Sequence, residues 1–87
     1  MKNITFTDKG WADFMDWSKT DRKIFTKIST LTEETSRTPF KGSGKPELLK
    51  YELKGCWSRR IDQEHSLVYS VSESAIEIRS CKYHYQE

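Results

Sequence analysis

At 87 residues the chain is expected to form one domain, 1–87, near the size at which folding buries only about two-thirds of the unfolded surface. Hydrophobic residues make up 34% and charged residues 32%, yet three Trp, four Phe and four Tyr supply enough large apolar units to exclude a disordered chain. The net charge of +2 conceals a local imbalance. Residues 41–60 hold Lys41, Lys45, Lys50, Lys54, Arg59 and Arg60 against only Glu47 and Glu52, the electrostatic footprint of a polyanion binder. No apolar run approaches the roughly 18 residues needed to cross a bilayer, and no signal peptide opens the chain, so a cytoplasmic protein that avoids membranes is expected. In that compartment Cys56 and Cys81 read as reduced, semi-buried thiols.

Asn3-Ile4-Thr5-Phe6 alternates as a short strand, and Thr7 or Asp8 then caps a helix. Trp11, Phe14 and Met15 recur at i, i+3 and i+4, which predicts a core-facing aromatic stripe with Asp13 and Asp16 on the polar side. Thr20-Asp21 interrupts the pattern, and Ile24, Ile28 and Leu31 carry a second helix that ends near Thr35. The two form a hairpin whose apolar stripes need a partner surface.

From Ser36 to Pro46, the residues Pro39, Gly42, Gly44 and Pro46 predict a long loop. A meander follows: Leu49–Leu53, Cys56–Ile61, an Asp62-Gln63-Glu64 turn, His65–Val71, a Ser-Glu-Ser turn and Ala75–Tyr83. Its short connections imply antiparallel pairing. Continued alternation in the last segment puts Ser80, Lys82 and His84 on the face of Ile76 and Ile78.

Several motifs fail on chemistry. Gly42-Ser43-Gly44-Lys45 misplaces the first glycine of a phosphate-cradling loop and puts Pro46 where Ser or Thr must stand. Cys56, His65, Cys81 and His84 lack the close paired spacing of a zinc site, so no metal and no cofactor is expected. No nucleophile-elbow sequence occurs, and the helices carry no concentrated basic recognition face for DNA.

What survives is Glu47, Lys50, Arg59, Arg60, His65 and His84, with Lys82, Tyr83 and Tyr85 beside the last histidine. Histidine exchanges a proton near neutrality, tyrosine stacks on bases, and lysine and arginine attract phosphate. RNA carries its own nucleophile. A metal-free ribonuclease therefore needs a base for the 2′-hydroxyl proton, cations for the phosphorane, and an acid for the departing 5′-oxygen.

Taken in order, Arg37-Thr38-Pro39-Phe40, Gly44-Lys45-Pro46-Glu47, Trp57-Ser58-Arg59-Arg60-Ile61, Glu64-His65, Leu67-Val68-Tyr69 and Cys81-Lys82-Tyr83-His84-Tyr85 resemble the YoeB branch of the RelE-like toxins, over almost the whole chain. Members of that branch are ribosome-dependent mRNA endonucleases paired with a neutralising antitoxin. The resemblance implies an α+β, microbial-ribonuclease-like fold, with an N-terminal strand and two-helix hairpin on a twisted antiparallel sheet. It also implies Glu47 as general base, His84 as general acid, Tyr85 as a substrate contact, and Lys50 and Arg60 as phosphate-binding cations, with Lys82 and Tyr83 as further substrate-binding residues. The partners implied are a YefM/Phd-like antitoxin, the ribosome with its mRNA, and a second copy of the chain.

One position departs from the family pattern. Where the family typically reads Glu-His-Arg-Leu-Val-Tyr, this chain has Ser66 between His65 and Leu67. A hydroxyl does not replace a fixed cation on phosphorane oxygens, and losing one such group costs about 10²–10³ in rate. Three accounts are open: Arg60 or Lys50 compensates, the toxin is naturally weakened, or the arginine was removed so that a toxic protein could be produced. A second departure is Tyr51, where some relatives have histidine after the lysine.

Overall fold

The computed structural model describes residues 1–84. Strand β1 (Asn3–Phe6) leads into helices α1 (Asp8–Thr20) and α2 (Arg22–Arg37), followed by β2 (Glu47–Leu48), a 3-10 turn (Tyr51–Leu53), β3 (Cys56–Arg60), β4 (Ser66–Val71) and β5 (Ala75–Ser80). The sheet order is β1-β5-β4-β3-β2. Among the described residues no helix is long and apolar enough to cross a membrane.

The helix hairpin forms where its cap residues predict. The Thr7 hydroxyl accepts from the Gly10 N–H at 3.1 Å, starting α1. Asp21 ends α1 by donating its N–H to the Trp17 carbonyl, and the same residue starts α2 by accepting from the Ile24 N–H at 3.2 Å. One extended residue therefore serves as both caps, which reverses the chain sharply and lays both helices on one face of the sheet. Ile28 and Leu31 from α2 pack there against Leu67, Tyr69, Ile76 and Ile78. Burial of each of these aliphatic side chains stabilises the fold by roughly 1.5–3 kcal/mol.

The α+β class holds, with two refinements of the sheet. β2 to β5 pair antiparallel, but β1 lies parallel to β5, with Asn3 opposite Ala75 and Phe6 opposite Ile78. Parallel neighbours need a crossover, which the helix hairpin and the meander together provide. The segment Leu49–Leu53 is not a strand. Pairing stops at Leu48, apart from the Leu49 N–H donating to the Cys56 carbonyl at 2.9 Å, and the chain curls into the 3-10 turn with Tyr51 at φ 56°. The curl puts Leu49 and Leu53 together against Cys56 and Val68 on the face away from the helices, and leaves Tyr51 exposed.

Helix α1 also departs from its expected stripe. Trp11 is 49% exposed, whereas Asp13 and Trp17 are buried. The face of α1 against the sheet is set by Gly10, where a β-carbon would lie 2.1 Å from the Ile78 carbonyl oxygen, and then by Asp13 and Trp17. Asp13 is a poor core residue by hydropathy, but it has a partner: its carboxylate accepts the Cys81 N–H at 3.0 Å. A buried polar group is tolerated when hydrogen-bonded.

Strand β5 ends at Ser80, three residues before the expected Tyr83, because its register shifts. Tyr69 pairs with Ile78 but Val68 pairs with Ser80, so Arg79 is an extra residue that switches the alternation. Cys81, not Lys82, enters the helix-side core. His84 is exposed and does not share the isoleucine face.

Candidate functional site

Directly paired residues project to the same side of a sheet, so the register reads out the face opposite the helices. Leu67 and Tyr69 point into the helix-side core, and their neighbours Ser66 and Val68 therefore point away from it. Across the strands, Glu47, Ser58, Val68 and Ser80 form one row on that face, while Arg60 and Ser66 form the next. Glu47 and Arg60 are exposed, and Ser58 and Ser66 are buried. Three expected positions, Glu47, Arg60 and Ser66, thus project to one face of the sheet, with Ser66 covered.

They do not share a pocket. A hollow of about 640 Å³ is lined by Val68 and Ser80 of the first row and by Lys82, Tyr83 and His84, with Thr7 to Lys9 at its rim. Arg60 instead lines a hollow of about 500 Å³ with Lys27 and Lys45. Lys50 lines a third, of about 390 Å³, beside Leu49, Tyr51 and Lys54. The expected groups are therefore spread over several separate hollows, the second of which opens beside α2, rather than gathered in one enclosed cavity. Tyr85 lies outside the described residues.

Arg59 leaves the group of surface cations. Its side chain is fully buried and spends its donors on the Thr38 carbonyl, the Lys41 and Ser43 carbonyls at 2.9 and 3.2 Å, the Glu34 carboxylate at 3.3 Å and the Tyr69 hydroxyl at 3.2 Å. The Tyr69 hydroxyl donates in turn to the Pro39 carbonyl at 2.6 Å. This guanidinium fastens residues 38–43 to the sheet. The loop then closes at Gly44, at φ 82°, whose carbonyl accepts the Arg60 N–H at 2.7 Å and which lies too close to Arg60 for a β-carbon. Glu47 follows two residues beyond Lys45, so the lock fixes where β2 begins. The Ser43 N–H, 2.7 Å from the Glu34 carboxylate, holds that acid below its usual 4.5, and Arg59 adds to the effect. Burial pushes the Tyr69 phenol up.

The segment after β5 is held mainly through its backbone. The Trp17 indole donates to the Cys81 carbonyl at 2.8 Å, opposite the Asp13 contact with the Cys81 N–H. Lys82 lines the His84 hollow but turns its ammonium to Asp16, an ion pair that raises its pKa, and also lies 5.5 Å from the Trp17 ring. His65, expected among the surface groups, is buried beneath this segment, with Nδ1 accepting the Tyr83 N–H at 2.7 Å. Nε2 of His84 sits 3.1 Å from the Gln63 carbonyl oxygen. Asp62 caps the turn between β3 and β4: burial pushes its carboxyl up, but the His65 and Glu64 amides at 2.7 and 2.8 Å outweigh that and hold it low.

Hydropathy missed the anchors Asp13 and Trp17. The available signal was an acid four residues before a tryptophan on one helix, two polar handles facing a single stretch of chain. The thiols lie on opposite faces of the sheet, Cys56 beside Val68 and Cys81 in the helix-side core, and both are free. Burial, with Asp13 nearby, pushes the Cys81 thiol up to about 12.

Comparison with known proteins bears on the family and the fold. A family profile described as the YoeB-like toxin of bacterial type II toxin-antitoxin system matches residues 6–85. The chain is similar to Toxin YoeB of Escherichia coli (strain K12), with 48% identity covering 94% of this chain and 98% of the relative. Among solved structures, a YoeB/ParE toxin from Agrobacterium tumefaciens superposes with a TM-score of 0.91 at 45% identity, covering 98% of this chain and 100% of that one. The YoeB-YefM complex from Staphylococcus aureus gives 0.87 at 43% identity, covering 98% and 99%. A YoeB dimer from the same organism gives 0.88 at 45%, covering 97% and 98%. A matched profile across nearly the whole sequence, relatives of the same length and a superposable fold together lead to one conclusion: this chain belongs to the YoeB-like toxin family of bacterial type II toxin-antitoxin systems.

Proposed function

We propose that the chain is an endoribonuclease that cleaves mRNA in the ribosomal A site without a metal. Glu47 takes the proton of a ribose 2′-hydroxyl, and that oxygen attacks the adjacent phosphorus. Arg60 and Lys50 balance the charge of the phosphorane, and His84 donates a proton to the departing 5′-oxygen. A 2′,3′-cyclic phosphate and a 5′-hydroxyl result. Tyr83 and Tyr85 serve as base contacts. The observation that carries the reading is the register that turns Glu47, Arg60 and the wall of the His84 hollow to one sheet face. Because these groups are not gathered in one enclosed cavity, an external template to align the RNA has a physical purpose, since orientation alone supplies several kcal/mol. By likeness to the YoeB-YefM complex and the YoeB dimer, the partners are a YefM-like antitoxin and a second copy of the chain, met in the cytoplasm. Incubating the Ser66→Arg protein with programmed ribosomes is expected to yield A-site cuts that Glu47→Gln abolishes. Absence of cuts overturns the proposal.

A second reading is favoured by the position facing Arg60 across β3 and β4, where Ser66 stands, 3% exposed and without charge. In that reading the chain is a weakened toxin that still binds ribosome and antitoxin. Single-turnover cleavage is then expected to rise about 10²–10³-fold on Ser66→Arg. Equal, robust cleavage by both proteins eliminates it.

A further inference from the structure

Tyr83 adopts φ 63°, a left-handed conformation that a residue with a β-carbon adopts only under constraint. It stands immediately before His84. Two consecutive residues at the start of β4 grip it from both sides: Nδ1 of His65 accepts the Tyr83 N–H at 2.7 Å, and the Ser66 N–H donates to the Tyr83 carbonyl at 3.1 Å. Strain of this kind persists where the surroundings over-determine it, and here the surroundings can be named.

His65 is itself immobilised. Its ring meets the Trp17 indole edge-on, with centroids 4.7 Å apart and planes at 81°, and Trp17 is tied to the Cys81 carbonyl. Its backbone N–H is held by the Asp62 carboxylate at 2.7 Å. Because Nδ1 accepts, the neutral ring carries its proton on Nε2, which faces the Glu64 carboxylate at 3.6 Å. The turn that ends at His65 also supplies the Gln63 carbonyl beside His84 Nε2. The same short turn thus touches both the backbone before His84 and the His84 ring.

Resting on the RNA-cleavage reading above, we propose that His65 is a positioning residue: by accepting the Tyr83 amide it holds the left-handed turn that presents His84 to the leaving oxygen. It does not touch substrate. The ring contacts of His65 with Trp17 and Tyr83 alone would explain a core histidine, but they do not require a nitrogen aimed at a strained amide.

The test uses the full, isotope-labelled chain. A scalar coupling between the Tyr83 amide nitrogen and His65 Nδ1 is expected in the unaltered protein, and its absence overturns the proposal. His65→Phe keeps a ring against Trp17 but removes the acceptor, and is expected to shift the His84 ring signals. In the Ser66→Arg background it is also expected to lower the single-turnover cleavage rate by up to about 10²-fold with ribosome affinity unchanged. His65→Asn, which offers an oxygen near the place of Nδ1, is expected to recover part of that loss. A folded His65→Phe protein with unmoved His84 signals, or with undiminished cleavage, overturns the positioning role. If the Ser66→Arg parent does not cleave, the RNA-cleavage reading fails, while the coupling and the His84 signals still decide whether the clamp exists. If His65→Phe does not fold, the coupling in the unaltered chain and the rate of His65→Asn decide.

Discussion

The loop 38–46 and the segment 81–84 each lead to one of the groups that we propose act on RNA, Glu47 and His84, but they are held by opposite means. The loop is gathered chiefly by one buried cation, Arg59, whose guanidinium collects three carbonyls, a carboxylate and a phenol, with single hydrogen bonds at Pro39, Ser43 and Gly44 beside it. The C-terminal segment depends on several weaker contacts from separate elements: Asp13 and Trp17 of α1, His65 and Ser66 at the start of β4. A dominant hub concentrates the loss of position in one residue. Distributed contacts make it gradual, since each can be lost with the others still in place.

Replacing the hub is the most damaging way to break this contrast. Arg59→Met is expected to cost about 3–5 kcal/mol in urea unfolding, because it strands the acceptors that the guanidinium satisfied. Arg59→Lys is expected to recover little, since three donors cannot serve five acceptors in a planar fan. A loss below 1 kcal/mol would show that the loop does not depend on one residue. In the other region, Trp17→Phe removes one donor and part of a ring, and about 1–3 kcal/mol is expected, with amide exchange quickening at Cys81 to Tyr83 before the rest of the sheet. Uniform quickening would mean that the segment is not held separately.

The two regions also separate by pH. Glu34 has a folded pKa below 4.5, so its contribution is present above about that pH and is lost as pH falls through the folded value. Glu34→Gln is expected to flatten the acid limb of stability against pH, and an unchanged limb would remove Glu34 from the account. The C-terminal segment responds at the other end. The Cys81 thiol has its ordinary value near 9 when unfolded and about 12 when folded, so the folded chain holds the proton more tightly and stability falls as pH rises between those values. Lys82, raised by Asp16, loses its smaller contribution as pH climbs through its folded value. Cys81→Ala is expected to flatten the alkaline limb and leave the acid limb untouched. The smallest effect expected is on thiol chemistry: at neutral pH, alkylation of folded Cys81 proceeds far more slowly than in urea, and equal rates would show the segment to be open.

Local signals were legible wherever local energetics decide structure. The caps at Thr7 and Asp21 and the α2 stripe follow from side-chain hydrogen bonding and helical period and stand as read, whereas the loop expected from Ser36 starts only after α2 ends at Arg37. Glu47 and Arg60 were legible as candidates, and the register supplies the common face that sequence could not. Misreadings arose where a distant partner overrides a local preference. Asp13 looks solvent-facing until Cys81, far along the chain, offers its amide. Arg59 looks like one more surface cation until the loop folds over it. The switch at Arg79 has no local signature, and it decides which of Cys81 and Lys82 goes inside.

The sheet order carries a consequence for synthesis. Among the described strands β5 is made after all the others, yet it lies between β1 and β4, so β1 waits for β5 before it has a strand neighbour. A growing chain emerges N-terminus first, and long-range pairing of this kind forms slowly. While translation continues, the helices have only part of their sheet to pack against, and the Cys81 backbone that Asp13 and Trp17 hold does not yet exist. The face that we propose acts on RNA therefore comes together only once β5 is made, well after the helices that support it from the other side.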